Sequence, residues 1–174
     1  MNNKRFSWVT IGYGVYIVVS ASFMLQVDEW LEAKVGLFFL SHAFWTAAIF
    51  VLVVSIAYAL ISKPRLRRVS AVILVFALGY LVGMLQKSCA EKVHVLVYGL
   101  LGYIASRDIL NVKIAVKVKD IAIALGFVAL ISACDEGFQL ILPYRFGDFN
   151  DFATNVLSGA VGVGLFLALK KRRD

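Results

Sequence analysis

The stretch Gly36–Ile61, GLFFLSHAFWTAAIFVLVVSIAYALI, contains no Lys, Arg, Asp or Glu. About 20 apolar residues cross the hydrocarbon core of a bilayer as an α-helix, since each residue adds about 1.5 Å to a thickness near 30 Å. The stretch exceeds that length and predicts a membrane-spanning helix. Apolar residues make up 61% of the chain and charged residues 17%, whereas soluble domains have about 45–50% and about 25%. This composition excludes a soluble globule and a disordered chain.

Further apolar stretches flank this one and complete a set of about six predicted spans. They are Phe6–Leu25, Gly36–Ile61, Val69–Leu85, Glu91–Ala105, Ile121–Leu142 and Phe152–Leu169. Both prolines, Pro64 and Pro143, lie outside these stretches, so no helix is forced to break. We therefore expect an all-α membrane protein in which residues 1–174 form a single transmembrane domain, a bundle of about six helices.

The first span has an alternative interpretation as a cleaved signal peptide. Lys4 and Arg5 precede it, and Ser20-Ala21-Ser22 is a small-x-small triplet near its end. Signal peptides have both features, but their apolar core is shorter than this stretch, and here further spans follow. We expect a permanent helix.

Basic residues are divided unequally between the two sides of the predicted membrane. All 18 Lys and Arg residues fall on the side of the chain termini except Lys34, Lys87, Lys92 and Arg145. Because cytoplasmic loops carry an excess of Lys and Arg, both termini are expected in the cytoplasm. The net charge of +7 then reflects orientation towards anionic lipid rather than nucleic-acid binding. We expect a multi-pass protein of the bacterial cytoplasmic (inner) membrane.

Three segments place polar side chains at the extracytoplasmic ends of predicted helices 4, 5 and 6. They contribute Glu91, Lys92, His94 and Tyr98, then Asp135, Glu136 and Gln139, then Arg145, Asp148, Asp151 and Asn155. Helical spacing places Glu91, His94 and Tyr98 on one face. Ionisable groups at membrane depth cost about 2.5–3.5 kcal/mol each, so they normally face the bundle interior or a wet cavity. The sequence therefore predicts one outward-facing polar pocket.

These segments resemble the VanZ-like family of bacterial integral membrane proteins. The motifs are Glu-Lys-x-His-x-x-x-Tyr, Asp-Glu-x-x-Gln-x-x-x-Pro-x-Arg and Asp-x-x-Asp-x-x-x-Asn-x-x-x-Gly, in that order within residues 89–162. The resemblance adds Pro143 and Gly159 to the motif positions. It implies a protein of the cell envelope whose namesake is associated with low-level resistance to teicoplanin, a glycopeptide antibiotic that acts outside the membrane. It implies no particular reaction.

One hypothesis for the pocket is ligand binding. Lys92 and Arg145 could clamp a phosphate, so the expected partner is an anionic membrane lipid or a lipid-linked cell-wall precursor. The remaining substrate-binding candidates are Tyr98, Gln139, Asp148, Asp151 and Asn155.

Membrane-embedded catalysis is the first alternative. His94, Glu91, Asp135 and Glu136 are the candidate acid–base residues for chemistry on a lipid phosphate, because a histidine among carboxylates moves protons near neutral pH. A divalent metal held by Glu91, His94 and Asp135 is a variant of this hypothesis, since Glu-x-x-His is a ligand pair of carboxylate-bridged metal bundles. The positive charges of Lys92 and Arg145 oppose a metal cation.

A purely structural envelope protein is the second alternative. In it, Glu91–Lys92 and Arg145 with Asp148 or Asp151 are ion pairs that lock three helix ends together. A transporter is disfavoured, because the sequence offers no broken helix at the membrane midplane. The oligomeric state stays open.

Two further residues or pairs carry smaller expectations. His42, inside the second span, is expected to be a satisfied interior histidine. Cys89 and Cys134 lie at outer helix ends, where oxidation is permitted, and a disulfide between them stays open.

Overall fold

The computed structural model describes residues 6–61, 66–86, 89–110, 115–145 and 147–170. Within these residues the chain forms seven α-helices and no strand. They are α1 (Trp8–Ser20), α2 (Met24–Val35), α3 (Leu37–Ile61), α4 (Leu66–Met84), α5 (Cys89–Leu110), α6 (Val118–Ile141) and α7 (Phe149–Leu169). In the described part, five helices are long and apolar enough to span a membrane, and α1 with α2 gives a sixth span if the bent pair counts as one. The prediction of an all-α, multi-pass membrane bundle is confirmed.

The first predicted span, Phe6–Leu25, is not one straight helix, and in this respect the prediction is wrong. α1 has 13 residues, about 20 Å, and α2 leaves it at 69°. The hydroxyls of Ser20 and Ser22 donate to the carbonyls of Ile17 and Val19, at 2.8 and 2.7 Å. Hydroxyls that bond carbonyls of the preceding turn compete with the helical ladder and bend helices. The small-residue triplet is the site of the bend.

Helices α4 to α7 are longer at one end or both than their predicted spans. The extensions place in helices several residues that were predicted in loops, namely Arg67, Arg68, Arg107, Asp108, Lys119, Asp120 and Asp151. α5 continues past Ala105 because Asp108 accepts hydrogen bonds from α1: the Ser7 backbone N–H donates to it at 2.8 Å and the Thr10 hydroxyl at 2.6 Å. Charged side chains satisfied by a neighbouring helix need no loop to reach water.

Helices α5 and α7 form the centre of the bundle and approach each other closely. A Cβ added at Gly102 would overlap the carbonyl of Gly159, and one added at Gly162 would overlap the carbonyl of Gly99. Small residues let membrane helices pack backbone against backbone, where van der Waals contact replaces the hydrophobic driving force. Gly159 also faces Val128 of α6, which gives this motif position a packing role.

The bundle has a polar end and a basic end. The polar end is where α5 begins, α6 ends and α7 begins; the basic end is opposite, where α5 ends, α6 begins and α7 ends. The hydroxyl of Tyr98 on α5 donates to Asp135 on α6, and the amide of Asn155 on α7 donates to Glu136. These contacts bring the three helices together at the polar end.

Helices α3 and α4 lie at the periphery. In the most apolar 18-residue stretch of each of these helices 17% of the residues are buried, against 44% in the corresponding stretch of α5. His42 on α3 is exposed rather than interior, so that prediction is wrong. Its Nδ1 lies 2.7 Å from the carbonyl oxygen of Phe38, and its ring lies 4.0 Å from the Phe38 ring. A bond within its own helix satisfies this histidine at the lipid-facing surface.

Part of the orientation prediction falls on residues outside the described part of the chain. These are Lys4, Arg5, Lys63, Arg65, Lys87, Lys113, Lys171, Arg172 and Arg173. The side chain of Cys89 is also outside it, and Cys134 carries a free, exposed thiol.

Candidate functional site

A buried carboxylate on α6 is the centre of the polar end. Asp135 is 2% exposed and accepts hydrogen bonds on both oxygens, from the Tyr98 hydroxyl at 2.7 Å and from the Gln139 amide at 3.3 Å. Asp135 and Gln139 stand one turn apart and share a face, as their spacing predicts. Buried carboxylates are tolerated at this depth only when donors surround them, and here two other predicted site residues supply the donors.

The neighbouring carboxylate holds the start of α7. Glu136 accepts from the backbone N–H of Asp148 at 3.1 Å and from the side-chain amide of Asn155 at 3.3 Å. Asp148 is the N-cap of α7, and its carboxylate accepts from the N–H of Asn150 at 2.9 Å. Negative groups at a helix N-terminus are stabilised by the orphan N–H groups and the helix dipole. The arrangement fits Glu136 and Asp148 as residues that position the helix.

The loop before α7 returns Arg145 to the end of α6. Its Nε and Nη2 donate to the amide oxygen of Gln139, at 3.1 and 2.7 Å. Among the described residues, these are the side-chain hydrogen bonds of Arg145, and the expected ion pairs with Asp148 or Asp151 are not formed. Gly147 allows the close return, because a Cβ there would lie 2.6 Å from the carbonyl oxygen of Glu136.

The half-buried side chains of His94, Glu91 and Asp151 complete the site around these contacts. The His94 ring centroid is 6.0 Å from that of Tyr98. Asp151, in the first turn of α7, interacts electrostatically with Glu91, His94, Asp148 and Arg145. The structure thus brings together three of the four acid–base candidates, Glu91, His94 and Asp135, with Glu136 turned towards α7.

Helical spacing places Lys92 on a different face of α5 from this cluster. It follows Glu91 by one position, and successive helical residues point about 100° apart. Its spacing from Val95, Leu96 and Gly99 places it on their face of α5, away from His94 and Tyr98. The expectation that Lys92 and Arg145 together clamp one phosphate is therefore not supported.

A metal site would need several ligands to converge. Within the described ranges, no group of three His, Cys, Asp or Glu side chains is arranged to hold an ion. Glu91, His94 and Asp135 share a neighbourhood without forming a ligand set. The geometry gives the metal hypothesis no support.

Some residues of the site were not predicted from the sequence. Ser132 is fully buried one turn before Asp135, and its hydroxyl lies 3.5 Å from the carbonyl oxygen of Phe152. The spacing of three to four residues from Asp135 and Glu136 is the signal that could have found it. Tyr144, in the loop before α7, donates to the Ser22 carbonyl at 2.7 Å. No local pattern connects residues that far apart in the chain.

Asn155 is a predicted binding residue, and the structure adds that its side-chain oxygen is unsatisfied. Asn155 is 1% exposed, and its Oδ1 has no hydrogen-bond partner within the described part of the protein. An unsatisfied buried acceptor costs about 1–3 kcal/mol. Such groups are uncommon, and a water, an ion or another bound molecule is one way in which they are satisfied.

Comparison with protein families found that the chain matches the family model described as VanZ/LLP1 over residues 12–170. The match includes all the motif residues and also the first helices, which the resemblance in sequence did not reach. Searches of curated proteins and of solved structures found no match.

Proposed function

This chain belongs to the VanZ/LLP1 family, and from that premise we propose that its polar end faces the outside of the bacterial cytoplasmic membrane and binds an anionic lipid head group or a lipid-linked cell-wall precursor. Arg145 binds the anionic group. The family resemblance extends the proposal to low-level teicoplanin resistance, because a site at the outer membrane surface acts where that antibiotic acts.

The observation that carries this proposal is the hydrogen-bond partner of the Arg145 guanidinium. Its half-buried guanidinium donates to a neutral amide oxygen of Gln139 instead of to a carboxylate. Arginine has five N–H donors in a planar fork that matches phosphate and carboxylate geometry. With Nε and Nη2 held by Gln139, the fork is oriented while Nη1 is left for a ligand.

The acidic residues around Arg145 do not cancel this charge by direct contact. Asp135 and Glu136 each accept two hydrogen bonds inside the bundle, and Asp148 caps α7. These carboxylates accept from protein donors, and Asp151, which also lies in the site, forms no ion pair with Arg145 within the described residues. Asn155 Oδ1 supports a ligand that also donates, such as a head-group hydroxyl.

The test is binding of a short-chain anionic lipid. The full chain in detergent is titrated with dihexanoyl phosphatidic acid, with dihexanoyl phosphatidylcholine as the zwitterionic reference. Arg145→Ala is expected to weaken binding about tenfold, and Arg145→Lys nearly as much, because an ammonium cannot keep two bonds to Gln139 and still present a fork. Arg107→Lys, at the basic end, is the matched control and should leave binding unchanged.

Equal binding of both lipids, or an effect of Arg107→Lys as large as that of Arg145→Lys, contradicts the proposal. A melting curve accompanies each variant. Loss of binding in proportion to a large fall in Tm would make Arg145 a structural residue of the bundle.

Acid–base catalysis on a lipid phosphate is the second candidate, and His94 supports it. The imidazole has no hydrogen-bond partner within the described part of the chain, and it interacts electrostatically with both Asp135 and Asp151. A half-buried imidazole beside carboxylates and next to a bound phosphate has the chemistry of a proton carrier. Release of inorganic phosphate from the bound lipid separates this candidate from binding alone.

A further inference from the structure

The helix between the first two crossings differs from the others in length and charge. α2 has 12 residues, a length of about 18 Å, and four of them are charged, namely Asp28, Glu29, Glu32 and Lys34. It is too short and too polar to cross a hydrocarbon core of about 30 Å by itself. It also contains no buried residue, so the bundle does not enclose it.

α1 reaches from one end of the bundle to the other without α2. At the basic end, Asp108 accepts hydrogen bonds from Ser7 and Thr10. At the polar end, the carbonyl of Ser22, just after α1, accepts from Tyr144 in the loop before α7. α1 is about 20 Å long, less than the thickness of the hydrocarbon core. The chain therefore enters α2 at the margin of the apolar layer rather than in bulk water.

α2 begins and ends at the polar end. α3 follows it after the single residue Gly36 and runs to the basic end, where Ala59 packs in one cluster with Leu169, the last residue of α7. α2 leaves the direction of α1 at 69°. Of its length, only about 6 Å lies along that direction and about 17 Å lies across it. α2 therefore runs along the membrane surface and links α1 to α3.

The side chains of α2 divide between an apolar and an acidic side. The apolar side is a stripe of residues that recur every three or four positions, namely Met24, Val27, Leu31 and Val35. Trp30 flanks the stripe and is 60% exposed. The acids fall outside it. We call the stripe together with Trp30 the apolar face of α2; except for the half-buried Leu31, its side chains are exposed.

The neighbouring surface indicates what covers this face. α3 is long and apolar enough to span a membrane, and its second residue, Phe38, is 78% exposed. Val35 of α2 and Leu37 of α3, on either side of Gly36, are both exposed. The apolar face thus continues the lipid-facing surface of α3. Tryptophan is enriched at membrane–water interfaces, where Trp30 would lie.

Charge does not explain an attraction of α2 to lipid. Helices that bind an anionic membrane surface carry Lys and Arg on the polar face, whereas the polar side of α2 carries three acids and its one lysine is Lys34. Lys34 lies beside Val27 and Trp30 around the helix, and a lysine in that place extends its ammonium to the head groups. Apolar contact is therefore the source of binding.

We propose that α2 is an interfacial helix, whose apolar face binds the lipid leaflet at the polar end, at the boundary between head groups and acyl chains. Amphipathic helices in this position bury their apolar face by about 5–10 Å. The chain then crosses the membrane with α1 alone before α2, and α2 lies in the plane of the surface. The inference goes beyond the proposed function and does not depend on what Arg145 binds.

The test measures the depth of Trp30 by fluorescence quenching in the full chain, reconstituted in phosphatidylcholine vesicles. Trp8→Phe and Trp45→Phe leave Trp30 as the one tryptophan. The vesicles contain phosphatidylcholine brominated either near the glycerol or near the midplane. Because an interfacial helix lies in the upper part of the leaflet, the shallow bromines should quench Trp30 at least about twofold more than the deep ones.

The deep reference is Phe50→Trp in a chain that also carries Trp30→Phe. Phe50 lies in the middle of α3 and is 68% exposed, so this tryptophan should show the opposite order of quenching. A melting curve checks that each variant is folded.

The apolar face is tested by Val27→Glu in the chain that retains Trp30. A carboxylate resists burial among acyl chains, so quenching by the shallow bromines should fall about twofold or more. Ala33→Glu is the matched control, because Ala33 is exposed and lies about 120° around the helix from Val27. It should leave the quenching unchanged. Addition of phosphatidylglycerol should not increase it, because the acidic side gives no attraction to anionic lipid.

Three results would overturn the proposal. Stronger quenching of Trp30 by the deep bromines makes α1 and α2 one bent span. Quenching by aqueous iodide but by neither lipid places α2 in water or against another protein. Equal effects of Val27→Glu and Ala33→Glu remove the apolar face. Arg145→Ala should leave the quenching of Trp30 unchanged, so failure of this proposal is distinguishable from failure of the proposed function.

Discussion

Two clusters of the same residue types lie at opposite ends of the bundle and differ in how their charges are satisfied. At the basic end, the carboxylate of Asp108 is 9% exposed and accepts from Ser7, from Thr10 and from the guanidinium of Arg107 at 3.3 Å. Each strong donor in contact with it is a protein group. This cluster fastens α1 to α5.

At the polar end the corresponding arginine is bonded differently. Arg145 donates to the amide of Gln139, and the oxygen of Asn155 has no partner within the described ranges. A brace neutralises its charges internally, whereas a site keeps a cation and an acceptor for another molecule. The comparison supports the proposals that the polar end is a binding site and that the Asp108 cluster is a brace.

The largest expected effect concerns which end faces outwards. Single cysteines introduced at Asn150, or at Asn3 or Lys171, in a chain with Cys89 and Cys134 replaced by alanine, are treated with an impermeant thiol reagent on intact cells. Asn150→Cys should label, and the other two should label only after the membrane is opened, because cytoplasmic segments carry an excess of Lys and Arg, which predicts that the basic end lies inside.

Labelling of Asn3→Cys and Lys171→Cys in intact cells would place the polar end in the cytoplasm. The contrast between the Asp108 cluster and the Arg145 site does not depend on orientation and would stand. The proposed link to teicoplanin, which acts outside the membrane, would be contradicted.

His94 gives the next largest effect, under the catalytic hypothesis. Glutamine at position 94 keeps a hydrogen-bonding side chain but cannot carry a proton, so His94→Gln should slow phosphate release about 100-fold or more, with Tm and lipid binding little changed. The measurement is release of inorganic phosphate from the lipid probe, beside a melting curve. If the wild-type chain releases no phosphate, the catalytic hypothesis is contradicted and the binding proposal is unaffected.

Removal of the carboxylate at the basic end tests the brace. Asp108→Ala leaves the Ser7 N–H and the Thr10 hydroxyl without their acceptor and Arg107 without its ion pair, which should cost about 2–4 kcal/mol of stability. Thermal unfolding in detergent measures the loss, with Arg145→Ala as the comparison variant, expected to melt near wild type. If Arg145→Ala lowered Tm as much as Asp108→Ala, both ends would be braces.

The fold was predictable because hydropathy and charge act locally. The span Gly36–Ile61 coincides with α3 to within a residue, since a long apolar run has no alternative in a membrane. The ends of α5 and α6 were not predictable in the same way. Asp108 and Asp120 look like loop residues until a neighbouring helix is known to enclose them, and Asp120 is 1% exposed.

The sequence predicted which residues belong to the site, but it did not predict which of their side chains form hydrogen bonds with each other. Period and spacing placed Tyr98, Asp135 and Gln139 on facing helices, and the structure joins them. The partner of Arg145 was expected to be a carboxylate, because charge suggests the nearest opposite charge. Which acceptor it reaches depends on the path of the loop through Gly147, and that path has no signal in the sequence. Helical spacing alone places Lys92 on another face of α5 than His94 and Tyr98, although the sequence analysis paired Lys92 with Arg145.

The smallest expected effect concerns the contact between the bend and the site. The Tyr144 hydroxyl donates to the carbonyl of Ser22 at 2.7 Å, although Tyr144 is 42% exposed, so water replaces this bond readily. Tyr144→Phe should therefore cost about 0.5–1 kcal/mol of stability and leave binding at Arg145 within about twofold of wild type, since Gln139 and not Tyr144 orients the guanidinium. Melting curves and the short-chain lipid titration measure both quantities. A tenfold loss of binding with an unchanged Tm would mean that the bend between α1 and α2 positions the loop that carries Arg145, and the site would then include α1 as well as α5, α6 and α7.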